Sequence, residues 1–167
     1  DRGWDLYLTD VLAEPLAMLA ENLGRTYGVS VRFRACDLTD AAARDALCRA
    51  LASEGIAFSG LINVAGGDHE GLFCDQSREQ IRSILRLNIE STFEMTHCLL
   101  ALRSMEVPFH IINVASLAAF YPMPYKATYA ASKRCLLDFS LALREELAGR
   151  NDNVTVLCPA GQHPPPE

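Results

Sequence analysis

The sequence predicts an α/β fold in which a parallel sheet is covered by helices on both faces. Two observations carry this. Short apolar runs of strand length alternate with longer stretches of helical periodicity from one end of the chain to the other. The residues with chemical potential, Asp10, Asp37, Asn63, Gly66, Ser116 and Pro159, fall where the apolar runs end rather than inside them. Ligands bind at the carboxyl ends of strands in such sheets, and chance scatter would place many of these residues mid-strand.

Residues 4–9 read as a strand that ends at Asp10. A helical pattern follows, with Leu12, Leu16, Leu19, Ala20 and Leu23 on one face and Gly24 and Gly28 near its end. Residues 29–35 form a second strand, where Val31 and Phe33 alternate with Arg32 and Arg34. The oxygen-bearing segment Asp37-Leu38-Thr39-Asp40 caps an alanine-rich helix that runs to about Ser53. A short buried strand over 60–64 is broken by Ala65-Gly66-Gly67, and a polar loop leads into a long helix over 78–105. Residues 109–115 carry the β-branched centre Ile111, Ile112 and Val114 of a buried strand, with Ser116 at its end. Pro122 and Pro124 exclude regular structure over 117–125. From 126 to 149 the pattern is again helical, with Leu136, Leu137, Leu141 and Leu147 on the apolar face and Gly149 closing it. A last strand is expected at 154–157.

Length and composition set bounds. The 167 residues suffice for one domain with a real core, and 50% hydrophobic with 22% charged residues describes a soluble globular chain. The net charge of −6, with no basic cluster, argues against nucleic acid as a partner. No apolar run reaches membrane-spanning length, so no membrane partner is expected. Six cysteines are spread without a C-x-x-C pair and the four histidines do not cluster, so no metal site is expected. Most of the cysteines fall in apolar or helical stretches and read as reduced, buried thiols, and a cytoplasmic protein is expected.

The chemistry concentrates at 109–149. Tyr129 and Lys133 lie one helical turn apart on one face. A phenol with a pKa near ~10 is a poor acid or base at neutral pH, and an ammonium beside it favours the phenolate. Ser116, delivered by a strand end, can share a substrate oxygen with the tyrosine. Such a set suits proton transfer to or from an alcohol or carbonyl. Taken alone, Tyr-x-x-x-Lys is an ordinary amphipathic pair and Ser116 a strand-end turn residue. Against that, the chain has only two lysines, Lys126 and Lys133, among fifteen basic residues, which makes a chance pairing less common.

Ser116, thirteen residues before Tyr129, with Lys133 four after it, resembles the active-site segment of the short-chain dehydrogenase/reductase family. Asn113-Val114-Ala115-Ser116 and Tyr129-Ala130-Ala131-Ser132-Lys133 are close to that family's wording, and the likeness runs from about residue 3 to 161. It implies a Rossmann-type doubly wound parallel sheet. By the same resemblance Asn88 bends a long helix and relays protons through water to the lysine, alongside catalytic Ser116, Tyr129 and Lys133. Asn63-Val64-Ala65-Gly66 is similar to the family's Asn-Asn-Ala-Gly cofactor turn, with Val64 in place of the second Asn. Asp10 occupies the position that favours NAD(H) over NADP(H), because its charge accepts ribose hydroxyls and repels a 2′-phosphate. Asp37 and Leu38 match the segment along the adenine ring, and Lys133 with Tyr129 and Pro159 completes the cofactor set. Plain helix capping is the competing reading of Asp10 and Asp37.

The chain departs from the family at both ends. No glycine-rich pyrophosphate turn occurs, so the resemblance implies a domain lacking its first, central strand and its C-terminal substrate-binding part. Residues 1–161 are therefore expected to form a partial Rossmann-type domain, and 162–167 a proline-rich disordered tail. The implied function is hydride transfer between NAD(H) and a small-molecule alcohol or ketone, with a homodimer or homotetramer built on the helices at 78–105 and 126–149. The alternative is a truncated, catalytically inactive relative acting as an interaction or regulatory module.

Overall fold

A computed structural model describes residues 3–160, so the tail expected over 162–167 lies outside the described residues. The chain forms two compact units, residues 1–53 and 54–167.

The first unit runs β1 (Leu6–Asp10), α1 (Ala13–Tyr27), β2 (Val31–Ala35) and α2 (Ala41–Ser53). β1 and β2 pair in parallel, with Leu6 opposite Val31 and Asp10 opposite Ala35. A parallel pair needs a crossover, and α1 supplies it. Gly28 ends α1 as expected, in the left-handed conformation at φ 66°. The strands begin at Leu6 and Val31, two residues later than the apolar runs suggest. Just before them Ser30 joins the chains, donating its N–H to the Asp5 carboxylate and accepting the Leu6 N–H, both at 2.8 Å.

α1 buries Leu16 and Ala20, whereas Leu12 and Leu19 are exposed. Leu12 has extended backbone ahead of the helix and so no helical phase. Leu19 lies about 100° around the helix from Ala20, off the buried stripe. The Asp40 carboxylate accepts the Ala42 N–H at 2.9 Å and caps α2. Arg44 is buried and donates to the Leu38 carbonyl at 2.7 Å. Cys36 is a free thiol. Cys48 is disulfide-bonded, contrary to the expectation of reduced cysteines.

The second unit contains β3 (Gly60–Asn63), α3 (Arg78–Leu85), α4 (Ser91–Ala101), β4 (His110–Val114), α5 (Ala127–Leu147) and β5 (Asn153–Leu157). The sheet order is β3-β4-β5, all parallel, with Ile62 opposite Ile112 and Ile112 opposite Thr155. β4 is central, and Phe109, Ile111 and Asn113 are fully buried on it or at its start. Phe93 of α4 and Phe139 of α5 stack with ring centroids 4.0 Å apart.

The long helix expected over 78–105 is interrupted and shorter. Residues Arg86–Glu90 form a π-helical turn between α3 and α4, where the Ser91 N–H reaches back five residues to the Arg86 carbonyl. α4 stops at Ala101 because the chain then pairs with Phe58. The Phe58 N–H donates to the Leu102 carbonyl at 2.9 Å, and the Ser104 N–H to the Phe58 carbonyl at 2.7 Å.

α5 ends at Leu147, and Gly149 does not cap it. The left-handed residue is Asn151 at φ 60°, a conformation that Asn tolerates well. Leu141 is exposed while Leu136, Leu137 and Leu147 are buried, since the last three follow the stripe that faces the core. Cys74, Cys135 and Cys158 are free, and Cys98 is disulfide-bonded. Cys48 and Cys98 each sit singly in a helix, and neither belongs to a spacing that signals a disulfide. Among the described residues, no helix is long and apolar enough to cross a membrane, and no group of three metal-ligating side chains occurs.

Core packing in the second unit rests on β4. Ile111→Ala should cost about 2–5 kcal/mol. Ile62→Ala, at a side chain 61% exposed on edge strand β3, should change stability by no more than about 0.5 kcal/mol. Urea unfolding midpoints of the two variants check the contrast.

Candidate active site

The site grows from the carboxyl end of β4. Past the strand ends the Ala115 N–H donates to the Leu157 carbonyl at 2.7 Å, and the Leu117 N–H to the Pro159 carbonyl at 2.9 Å. These bonds carry the chains after β4 and β5 forward together and hold Ser116 in extended backbone. Its Oγ accepts the Ala118 N–H at 3.1 Å and starts a single 3-10 turn, Leu117–Ala119. The chain then reaches α5 through Tyr125, which has φ 66°. That left-handed conformation costs a bulky side chain about 1–3 kcal/mol, so surrounding contacts must hold it.

On α5, Tyr129 and Lys133 stand one turn apart as the sequence predicts. Lys133 is only 4% exposed. Its Nζ donates to the Val114 carbonyl at 3.0 Å and lies 5.7 Å from the centre of the Tyr129 ring. Burial pushes the Lys133 ammonium below its ordinary range, partly offset by the Cys158 thiol. A side chain on Gly66 would begin 3.2 Å from this Nζ and 3.4 Å from Asn88 Oδ1. Glycine at 66 therefore makes room for the buried cation.

Asn88 sits fully buried in the π-helical turn. Its Oδ1 accepts the Gly67 N–H at 2.8 Å, and its Nδ2 donates to the Gly67 carbonyl and to Ser132 Oγ, each at 2.9 Å. Ser132 Oγ in turn donates to the Tyr129 carbonyl at 2.7 Å. One side chain thus ties the loop after β3 to the first turns of α5.

Asn63, expected at the cofactor, is engaged within the protein. Its Nδ2 donates to Thr96 Oγ1 at 3.1 Å and to Asn113 Oδ1 at 2.8 Å, and Asn113 Nδ2 donates to Ser140 Oγ at 2.9 Å. Ala65 is exposed beside this ladder. The sequence reading did not assign Thr96, Asn113, Ser132 or Ser140. Their signal was present, since Asn88, Thr92 and Thr96 recur every fourth residue and all three are buried, and so are Ser132 and Ser140, eight apart.

Asp10, Asp37 and Leu38 belong to the first unit. Asp10 ends β1, and its Oδ1 accepts the Leu12 N–H at 2.9 Å. Asp37 Oδ1 accepts from the Thr39 hydroxyl at 2.7 Å and the Thr39 N–H at 2.8 Å. These bonds hold its carboxyl below the usual range. Helix capping, the competing reading of both, is not what these carboxylates do: each closes a local turn, while α1 has no side-chain cap and Asp40 caps α2.

The second unit is thus a parallel α/β unit with Ser116, Tyr129 and a buried Lys133 near the carboxyl end of β4. The profile of the short chain dehydrogenase family matches residues 1–165. The chain belongs to the short-chain dehydrogenase family, whose doubly wound α/β fold it shares.

It is 32% identical over 158 residues to a very-long-chain 3-oxoacyl-CoA reductase of Laccaria bicolor, covering 92% of this chain and 46% of that protein. A short-chain dehydrogenase from Sphingobium yanoikuyae in complex with NADPH superposes with a TM-score of 0.86 at 28% identity, covering 97% of this chain and 63% of that one. A family member from Burkholderia phymatum in complex with NAD gives 0.83 at 27% identity, covering 93% and 56%. The chain thus spans about half the length of the curated relatives it matches.

Two outcomes follow from this geometry. Asn88→Ala removes the partner of both polar groups of Gly67 and the amide donor to the buried Ser132 Oγ, which keeps only its bond to the Tyr129 carbonyl, and should lower stability by at least about 2 kcal/mol in chemical denaturation. Lys133 has a folded-state pKa below its ordinary 10.5, so the unfolded chain binds more protons in the interval between them. Its contribution to stability therefore rises with pH across that interval. Urea midpoints measured up to pH 10.5 should show this rise in the parent and a flatter limb in Lys133→Met.

Proposed function

We propose that this chain carries the catalytic centre of an oxidoreductase that moves a hydride between a nicotinamide cofactor and an alcohol or carbonyl carbon. The observation that supports it most is the buried Lys133, held on the Val114 carbonyl and 5.7 Å from the Tyr129 ring, at the strand end that also delivers Ser116. Structure alone gives such a cation no reason to be there, because burying an ammonium is costly. A proton-transfer site does.

Tyr129 is the general acid/base that gives or takes the proton of the substrate oxygen. Ser116 orients that oxygen by a hydrogen bond. Lys133 supplies the positive charge beside the phenol and holds the nicotinamide ribose, and Asn88 keeps the proton path behind the lysine. When bound, the nicotinamide supplies the hydride chemistry; the chain supplies position and field. The residue types present suit such a cofactor. Asp10 presents an exposed carboxylate at a strand end, suited to two ribose hydroxyls, with Asp37 and Leu38 after the neighbouring strand for the adenine. The Ala65-Gly66 backbone and Pro159 would border the nicotinamide half. The Asp10 charge favours NAD(H) over NADP(H).

The substrate is a small-molecule alcohol or ketone. Family relatives named for acyl and steroid carbonyl chemistry support that class.

Titration with NADH and NADPH, followed by nicotinamide fluorescence, tests the cofactor assignment. Saturable binding that prefers NADH is expected, and Asp10→Ser should erase the preference. Tyr129→Phe should remove turnover by a factor of at least about 10² while leaving NADH affinity within about twofold. Equal turnover in variant and parent would refute the role of Tyr129.

A further inference from the structure

We infer that Asp68 and Lys126 form a charged latch that positions Tyr129 by holding the strained entry turn of α5 against the loop after β3. This rests on the reading of Tyr129 as the acid/base.

Lys126 is the other of the chain's two lysines, and it lies three residues before Tyr129. Its Nζ is 2.5 Å from Asp68 Oδ2 and 3.5 Å from Glu70 Oε2, and 6.0 Å from the centre of the Tyr129 ring. The latch pair is partly sheltered, with side chains 26% and 32% exposed, whereas Glu70 is 71% exposed. Asp68 is therefore the partner whose attraction is least screened. Its hydrogen bond also raises the Lys126 pKa, so the lysine stays charged across the working range.

The position of the pair gives it a function. The residue between Pro124 and Lys126 is Tyr125, in a left-handed conformation that its own side chain disfavours. The Tyr125 carbonyl accepts the Gly71 N–H at 2.9 Å. Two kinds of tie thus join residues 68–71 to 125–126, the charged pairs of Lys126 with Asp68 and Glu70 and one backbone bond. A third kind of tie joins the same loop to α5 through Gly67, Asn88, Ser132 and the Tyr129 carbonyl. The loop and the first turns of α5 thus form a closed ring of contacts that passes through the Tyr129 carbonyl. Breaking the latch leaves one backbone bond between the loop and the strained turn and opens the ring on that side. The loop is also anchored away from Lys126: Gln80 Oε1 accepts the Ser77 N–H, so its amide nitrogen is the donor that meets His69 Nε2 at 2.7 Å.

The test compares Asp68→Asn, Lys126→Met and Lys126→Arg in the full chain by two readouts. The first is amide hydrogen exchange at Gly71, which reports the latch without turnover. The second is steady-state kinetics with a panel of secondary alcohols and NAD⁺. The two neutralising variants should speed Gly71 exchange about tenfold or more. They should lower kcat by about tenfold with the KM for NAD⁺ within about twofold, the signature of a displaced reacting group. Lys126→Arg keeps the charge and should stay within about threefold of the parent in both readouts. The latch is overturned if Gly71 exchange is unchanged in both neutralising variants, or if Lys126→Arg is as impaired as Lys126→Met. Its positioning role is overturned if exchange accelerates while kcat holds. A folded parent that turns over no alcohol refutes the oxidoreductase reading instead, and Gly71 exchange then decides the latch by itself.

Discussion

The second unit depends on the three hydrogen bonds of Asn88. They join the loop after β3, the π-helical turn and α5 through one side chain with no exposed surface. A buried amide is costly unless every polar atom finds a partner, and here each does. The same constraint explains the neighbouring glycines. Gly67 offers both its N–H and its carbonyl to one amide, and Gly66 leaves room beside Asn88 Oδ1 and Lys133 Nζ.

Around that anchor the interior of this unit is unusually polar for a sheet-helix interface. Partly buried Asn63 and buried Thr96, Asn113 and Ser140 form a hydrogen-bonded ladder. Fully satisfied networks of this kind specify one arrangement of their elements, because a partly satisfied one is penalised at every unpaired atom. The site stands on elements held by direction-dependent bonds as well as by apolar packing. Lys133 benefits directly: its ammonium is tolerated at 4% exposure because Val114 offers a carbonyl at the right distance.

Much of this was legible in the sequence. The alternation of β-branched runs and helical stripes gave the α/β class and the parallel order. The Ser116, Tyr129, Lys133 spacing gave the family that the profile match bears out. What escaped has physical reasons. Periodicity cannot register a single extra residue inside a helix, so Arg86–Glu90 read as continuous helix. A glycine after a helical pattern is a good stop signal, but Asn151 takes the left-handed role that Gly149 was expected to play. The end of α4 is set by the pairing of Leu102 and Ser104 with Phe58, over forty residues away in sequence, which no local pattern reports. Buried polar residues on helices read as solvated ones until their partners on other elements are seen.

The π-helical turn also fixes the length of its segment. One residue rotates a helix by about 100°, so the extra residue in 86–90 sets the phase between α3 and α4. Removing any one residue there would let the backbone close into regular α-helix, which by itself is the better hydrogen-bonded form. It would also swing Met95, Thr96 and Leu99 off the core together, and carry Asn88 away from Gly67. The segment is therefore constrained in its count as well as at Asn88. In a comparison of many such sequences, a gap in this stretch would be a sign of a lost site, even where every catalytic letter is kept.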